Sequence, residues 1–364
     1  MRVSRLLCFM VILVMAGCAS IGPGTMSRDR FDYTATVAES WKSQMLLNMV
    51  KLRYGDTPVF LDVGQIVANY SLQRTLSASG NASFLNGTQP GVNGGNILNF
   101  GLSAQGVLTD TPTITYAPLA GERFPLSMMM PLPVSAILNV LQGGYPVDFV
   151  FRLAVQSVNG VDNRRVQLRH VRPADPEFYA LIREFNRVQA SGEVGVRIRP
   201  TGGEEKLEMM FRPRIDAAVA EALRNIKAIL GLDPAAQEFR ATYGVVPADD
   251  SEIAFLTRSI LEVLTDLSSR IEVPEAHVTE HRVGPTPAAD LGPEGPIQDL
   301  IRITSAVERP ENAFVASPYR GHWFYIDDRD LSSKRLFTFL MFIFTFVETP
   351  GTGAAPILTI PASR

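Results

Sequence analysis

Residues 66–84 read IVANYSLQRTLSASGNASF. The even positions are Ile66, Ala68, Tyr70, Leu72, Arg74, Leu76, Ala78, Gly80, Ala82 and Phe84. The odd positions are Val67, Asn69, Ser71, Gln73, Thr75, Ser77, Ser79, Asn81 and Ser83. This near-strict alternation is the period of a strand, where successive side chains leave opposite faces. A Gly/Asn-rich stretch follows, from Asn86-Gly87 to Gly94-Gly95-Asn96. Alternation then resumes, with Leu98, Phe100, Leu102, Ala104, Gly106 and Leu108 on one face and Asn99, Gly101, Ser103, Gln105 and Thr109 on the other. The pattern predicts a long β-hairpin with a Gly/Asn-rich tip. Arg74 and Asp110 are its only charges.

Three uses fit such a hairpin. It can belong to an ordinary sheet or subunit interface, its polar face in water. It can span a membrane as part of a barrel closed by several copies. Transmembrane strands need only about 9–11 tilted residues, but two strands cannot span lipid alone, because their edges would carry unpaired backbone groups. It can also pair a sheet edge with another protein.

The N-terminus reads MRVSRLLCFMVILVMAGCAS. A basic start (Arg2, Arg5), an apolar core (Leu6–Val14) and Met15-Ala16-Gly17 before Cys18 match a secretory signal cut before an acylated cysteine. The apolar run is shorter than the ~20 residues a spanning helix needs. Acyl chains on Cys18 would hold the mature chain at a membrane, since each buried CH₂ contributes about 0.8 kcal/mol. Ala19, in place of the Asp that favours inner-membrane retention, points to the outer membrane and a periplasm-facing protein. Removing residues 1–17 takes away Arg2 and Arg5 and no acid, so 32 basic residues face 37 acidic ones, a net charge of −5. With no basic excess, nucleic acid is not an expected partner. Cys8 leaves with the signal, so the mature chain has no internal disulfide to form, and four histidines with one cysteine argue against structural zinc.

Four regions are expected: 1–17 signal peptide, 18–29 tether, 30–160 a helix with the long hairpin and two short helices, and 161–364 an α+β periplasmic domain. The fold class is α+β: an N-terminal helix, the amphipathic hairpin, then a mixed α+β domain with antiparallel strands. Val37, Trp41, Met45, Met49 and Leu52 mark a helix over about Thr34–Arg53, stopped by Asp56-Thr57-Pro58. Further helices are expected at Pro133–Leu141, Val147–Val158, Pro176–Val188, Ile215–Leu230, from Asp250-Ser251 to about Ser269, and Leu331–Val347. Expected strands are Arg165–Val171, a hairpin Val194–Arg199/Lys206–Arg212 across Gly202-Gly203, Phe239–Tyr243, Leu300–Val307, His322–Ile326 and Ile357–Ile360. A Pro/Gly-rich loop fills Pro274–Pro296.

Several clusters invite chemistry. His277-Val278-Thr279-Glu280-His281 matches H-x-x-E-H, but Pro274, Gly284, Pro285 and Pro287 argue against the helix that would bring both histidines to one metal, and the reading is loop histidines in solvent. Arg164, Arg165, Arg169, His170 and Arg172 form a basic cluster, which can line the wet face of a strand, pair with neighbouring acids, or bind anionic headgroups or a glycan phosphate. Asp327-Asp328-Arg329-Asp330 lacks calcium-loop spacing; Asp330 reads as the N-cap of the helix from Leu331. That helix, with Phe337, Phe339, Phe342, Phe344 and Phe346, is apolar all round and so expected to be buried. Met128-Met129-Met130 reads as core or interface packing. There is no G-x-S-x-G, P-loop or dinucleotide-binding glycine motif, so no catalytic residue, metal ligand or cofactor is nominated; the one modified residue is Cys18.

Three blocks, LLNMVKLRYGDTPVFLDVGQIVANY (Leu46–Tyr70), TPTITYAPLAGERF (Thr111–Phe124) and YRGHWFYIDDRDLSSK (Tyr319–Lys334), resemble a family of uncharacterised proteobacterial outer-membrane lipoproteins. The resemblance implies an envelope location and brings no activity and no site residue. The expected function is that of a lipid-anchored, non-catalytic structural or assembly subunit of a cell-envelope complex, self-associating or bound to an envelope protein. The first alternative is an oligomeric β-barrel pore or export component built from the 66–109 hairpin, and the second a periplasmic hydrolase.

Overall fold

A computed structural model describes residues 23–67, 70–83, 97–110, 113–118, 123–166, 171–192, 194–201, 204–211, 216–292, 294–347 and 358–361. The protein is α+β. It divides into two compact units, one from Met1–Ala38, Leu61–Pro118 and Thr352–Arg364, the other from Glu39–Phe60 and Leu119–Gly351. Helix α1 (Pro23–Arg53) runs through both ranges. It starts well before Thr34, inside the stretch read as tether, since nothing between Gly24 and Arg53 breaks a helix.

The first unit carries the hairpin. β1 (Leu61–Val67) and β2 (Tyr70–Ser83) form one arm, β3 (Ile97–Asp110) and β4 (Thr113–Pro118) the other. The arm expected as one strand from Ile66 is described on both sides of residues 68 and 69, which lie outside the described residues. Ile66 and Val67 pair with Ile114 and Thr113 in β1–β4, and Tyr70–Ser83 pairs with Asp110–Ile97 in β2–β3. The register is the same on both sides of these residues. A bulge between Val63 and Gln65 places Gly64 where a strand bends most easily. β18 (Leu358–Pro361) joins the outer edge of β4. The expected Gly/Asn-rich tip lies outside the described residues, as do Cys18 and the signal segment.

The second unit is built on a six-stranded sheet of β5 (Val155–Val158), β6 (Val161–Asp162), β9 (Val194–Thr201), β10 (Glu204–Phe211), β11 (Glu238–Tyr243) and β12 (Glu252–Thr257), in the order β6-β5-β12-β11-β10-β9. Only β11–β12 is parallel. Two corrections follow from β12 and β5. Residues 250–258 do not start a helix: Glu252–Thr257 is a central strand between β5 and β11, and a strand covered on both faces shows no alternation to read. The helix α7 (Ile260–Ser269) begins later, at a Ser259/Glu262 capping box in which Ser259 Oγ accepts from Glu262 N at 3.2 Å and the Glu262 carboxylate accepts from Ser259 N at 2.7 Å. Likewise Val147–Val158 is helical only as α4 (Val147–Ala154); β-branched Val155 and Val158 enter the ladder beside β12.

Helices α2 (Arg123–Met129), α3 (Val134–Gln142), α5 (Pro176–Ser191) and α6 (Ala217–Leu230) complete this half. α5 and α6 end at Gly192 and Gly231, both at positive φ, the left-handed cap that glycine adopts without strain. Phe151, Phe178, Leu181, Phe239 and Phe255 are buried in the core between these helices and the sheet. A second core joins the last turns of α1 to α7, to α9 (Leu331–Val347) and to a small sheet of β15 (Thr304–Ala306), β16 (Ala313–Tyr319) and β17 (His322–Asp327), ordered β15-β17-β16. Arg165–Val171 is not one strand: β7 (Arg165–Val166) pairs antiparallel with β8 (Val171–Arg172). The loop after residue 274 carries the short helix α8 (Glu275–Thr279) and a two-residue pairing of β13 (Leu291–Gly292) with β14 (Gly295–Pro296). Among the described residues no helix is long and apolar enough to cross a membrane.

Candidate functional site

The second unit brings residues of the first and third quoted blocks together. Tyr54, at the end of α1, is buried, and its Oη lies 2.7 Å from His277 Nδ1 of α8. The Tyr54 ring meets Tyr319 and Phe324 edge-on at centroid distances of 5.2 and 6.0 Å, and the Arg320 guanidinium lies 5.4 Å from the ring centre. Tyr319 Oη donates to Asp56 Oδ2 at 2.9 Å. The His277 ring packs edge-on against His322 at 4.9 Å. Residues 54–56 and 319–324 thus close on one another across His277.

The electrostatics are those of a neutral joint. Burial pushes the Tyr54 phenol up, which keeps it protonated. Burial, then the neighbouring His322 and Arg282, hold the His277 imidazole below its ordinary value, so it is uncharged at neutral pH. The phenol and imidazole exchange one hydrogen bond, and rings cover the phenol on two sides. This arrangement fixes the end of α1 against the β16–β17 hairpin. His277 is therefore not the solvated loop residue expected: Pro274 opens a short helix and Tyr54 gives the buried ring a partner. His281 lies past that helix, exposed and at positive φ, so the H-x-x-E-H letters do not share one helical face. Among the described residues no group of three or more His, Cys, Asp or Glu is placed to hold a metal ion.

The basic cluster divides. Arg164 is buried, its Nη1 2.9 Å from Asp266 Oδ1 and its Nη2 donating to Ser269 Oγ at 2.7 Å. Arg258 Nη1 reaches Asp266 Oδ2 at 3.2 Å, and Arg270 Nη2 reaches Asp290 Oδ2 at 3.2 Å. Tyr179 Oη also donates to Asp290 Oδ2, at 3.1 Å, and burial pushes that phenol far up. Only 4–8 % of the three guanidinium side chains is exposed. Beside Arg164 lies a cavity of about 30 Å³, room for one water molecule. Arg172 instead stays at the surface, paired with Asp162 at 2.7 Å. Arg169 and His170 lie outside the described residues.

Asp330 takes the position its sequence indicates. Its Oδ1 accepts from Ser333 N at 3.1 Å and from Ser332 Oγ at 2.8 Å, capping α9. α9 is less completely covered than its composition suggests. Phe337, Phe339 and Phe344 are buried, but Phe342 is 58 % exposed beside an apolar cavity of about 560 Å³ between α2, α3 and α9. Met128 enters the core, whereas Met129 and Met130 are about as exposed as Phe342.

No family model matches the chain, and neither the curated proteins nor the solved structures compared with it give a match.

Proposed function

We infer that the chain is an outer-membrane lipoprotein, tethered by acylated Cys18 and facing the periplasm, that serves as a non-catalytic structural or assembly subunit of a cell-envelope complex. The observation that supports this most is the ribbon β2–β3. It is a two-stranded sheet of 14 residues per arm, and among the described residues no third strand pairs with either edge. A lone two-stranded sheet is marginal in water and needs a further strand or a packed face. Its arms contain no Lys, Glu or Pro, the residues that usually guard an exposed edge. The ribbon therefore reads as the half of a contact that another chain completes.

The test is extraction of the native protein in mild detergent, with its mass and its N-terminal modification measured together. A multi-chain particle and a triacylated Cys18 are the expected results. Replacing residues 70–110 by a short turn should reduce the particle to single chains while Trp41 and Trp323, both in the second unit, keep their native fluorescence. Recovery of an unmodified monomer without detergent would overturn the inference.

A further inference from the structure

We propose that the partner of the ribbon is a second copy of this chain: β3 of one copy pairs with β2 of the next, head to tail, and a closed ring of ribbons forms a membrane-spanning β-barrel with a wet, uncharged interior. This rests on the envelope-subunit reading and names its partner.

The register comes first. Leu72 lies opposite Leu108, Leu76 opposite Ala104 and Ala78 opposite Leu102, while Ser71 faces Thr109, Thr75 faces Gln105, Ser77 faces Ser103 and Asn81 faces Asn99. Even positions therefore meet even and odd meet odd along the whole ribbon. A neighbouring strand must keep the same division of faces, and the opposite edge of an identical ribbon does so. The odd face, of Ser, Thr, Asn and Gln interrupted by Gly101, Val107 and Ile97, bonds to water without attracting ions of either sign. The even face is Leu, Ala, Gly and Phe100 except near its base. Apolar outside and polar inside is the pattern of transmembrane strands.

The dimensions agree. Fourteen residues at ~3.4 Å each give arms of about 48 Å. At the ~45° tilt of membrane strands their height is about 34 Å, against an apolar band of ~25 Å. The surplus of about 9 Å, some four residues, falls at the base, so Tyr70 and Asp110 sit at the level of the lipid headgroups, as aromatic girdles do in barrels. Arg74, the fifth residue of its arm, sits at the boundary, from which its long side chain reaches the headgroups.

The charges also choose the arrangement. Arg74 is on β2 and Asp110 on β3. Head-to-tail pairing brings the cationic edge of one copy to the anionic edge of the next. Parallel β2–β2 pairing would set Arg74 beside Arg74. Two-fold antiparallel pairing would point the two bases to opposite sides of the membrane, which chains anchored in one leaflet cannot do. Head-to-tail contacts close into rings when the rotation permits. A water-filled lumen takes about 16 strands or more, hence roughly eight copies at the least.

The experiment uses the full chain in its native envelope, where Cys8 is cleaved away and Cys18 acylated. Chains with Ser77→Cys alone are co-expressed with chains carrying one cysteine at Asn99, Gly101, Ser103, Gln105 or Val107. Disulfide-linked mixed dimers at one or two adjacent positions are expected. In reconstituted vesicles, a membrane-impermeant maleimide should label Ser77→Cys and Ser79→Cys at least tenfold faster than Leu76→Cys and Ala78→Cys. Tryptophan fluorescence verifies that the second unit of each variant is folded, and a multi-chain particle of unchanged size verifies the ribbon. A multi-chain particle with no mixed dimer, or with equal labelling of both faces, refutes the barrel and leaves the envelope-subunit reading standing. A monomeric extract refutes both.

Discussion

Asp266→Asn tests the buried charge network that holds the second unit together. The carboxylate is 13 % exposed and lies between Arg164 at 2.9 Å and Arg258 at 3.2 Å. The amide is nearly isosteric, so no cavity opens, but two buried guanidinium groups lose their shared counter-charge. Removing one partner of a buried pair costs about 3–5 kcal/mol. The lower end applies here, because Arg258 Nη1 keeps the Arg152 carbonyl at 3.1 Å and Arg164 Nη2 keeps Ser269 at 2.7 Å. A loss of about 3 kcal/mol corresponds to a melting point lower by roughly 6–12 °C for a unit of this size. Urea unfolding followed by tryptophan fluorescence measures it, since both tryptophans, Trp41 and Trp323, lie in this unit. Asp148→Asn is the control. Its pair with Arg152 is half open to solvent, and its loss costs less than about 1 kcal/mol. If Asp266→Asn destabilises no more than Asp148→Asn, the network is not what fixes β7, α7 and β12 together.

Three further outcomes follow from named contacts. His277 is held below its ordinary value of 6.5, so below that pH the unfolded chain takes up a proton that the folded chain refuses. Its contribution is complete above pH 6.5 and is lost as the pH falls from there toward the depressed folded value; the urea midpoint of the native chain should drop over that window, and His277→Gln should flatten the drop. Asp330→Ala removes the α9 cap and should cost about 1 kcal/mol by the same unfolding assay, whereas Asp330→Asn, which still accepts from Ser333 N, should cost less. If the odd face lines a lumen, Ser77→Glu in every copy should make the reconstituted channel cation-selective, read as a shift in reversal potential under a salt gradient, while Ala78→Ser on the even face should leave it unchanged.

What was legible in the sequence was periodic or punctuated. The alternation over 70–83 and 97–110 predicted two strands, and these pair antiparallel in the ribbon. Gly231 marked the end of α6, Asp330 the start of α9, and Gly202-Gly203 the joint between β9 and β10. The capping box at Ser259 and Glu262 was equally readable, yet Asp250-Ser251 competed with it, and β12 has no alternation to expose the error. The joint around Tyr54 was not legible for a different reason. Tyr54 and His277 are 223 residues apart, and nothing local to either indicates the other. Arg164 is a similar case. Pairing with an acid was one of its expected readings, but its carboxylate partner is 102 residues downstream and could not be named from the sequence. Charge pairs across such separations leave no periodic trace.

The ribbon is guarded at one end and open at the other. At its base, β18 covers β4 along Thr113–Tyr116 and finishes at Pro361, a residue with no N–H to offer a further strand. Asp110, the last residue of β3, lies just beyond that cover, and from there to Ile97 the outer edge of β3 has no neighbour among the described residues. A soluble ribbon would need its protection along the open length, where the chain in fact places Ser, Leu, Gly and Phe and no Lys or Glu. An edge covered along β4 and uncovered along β3 leaves the β3 stretch as the part of this edge that a further strand can join. In the barrel proposed above, this open edge of β3 is the one that β2 of the neighbouring copy takes.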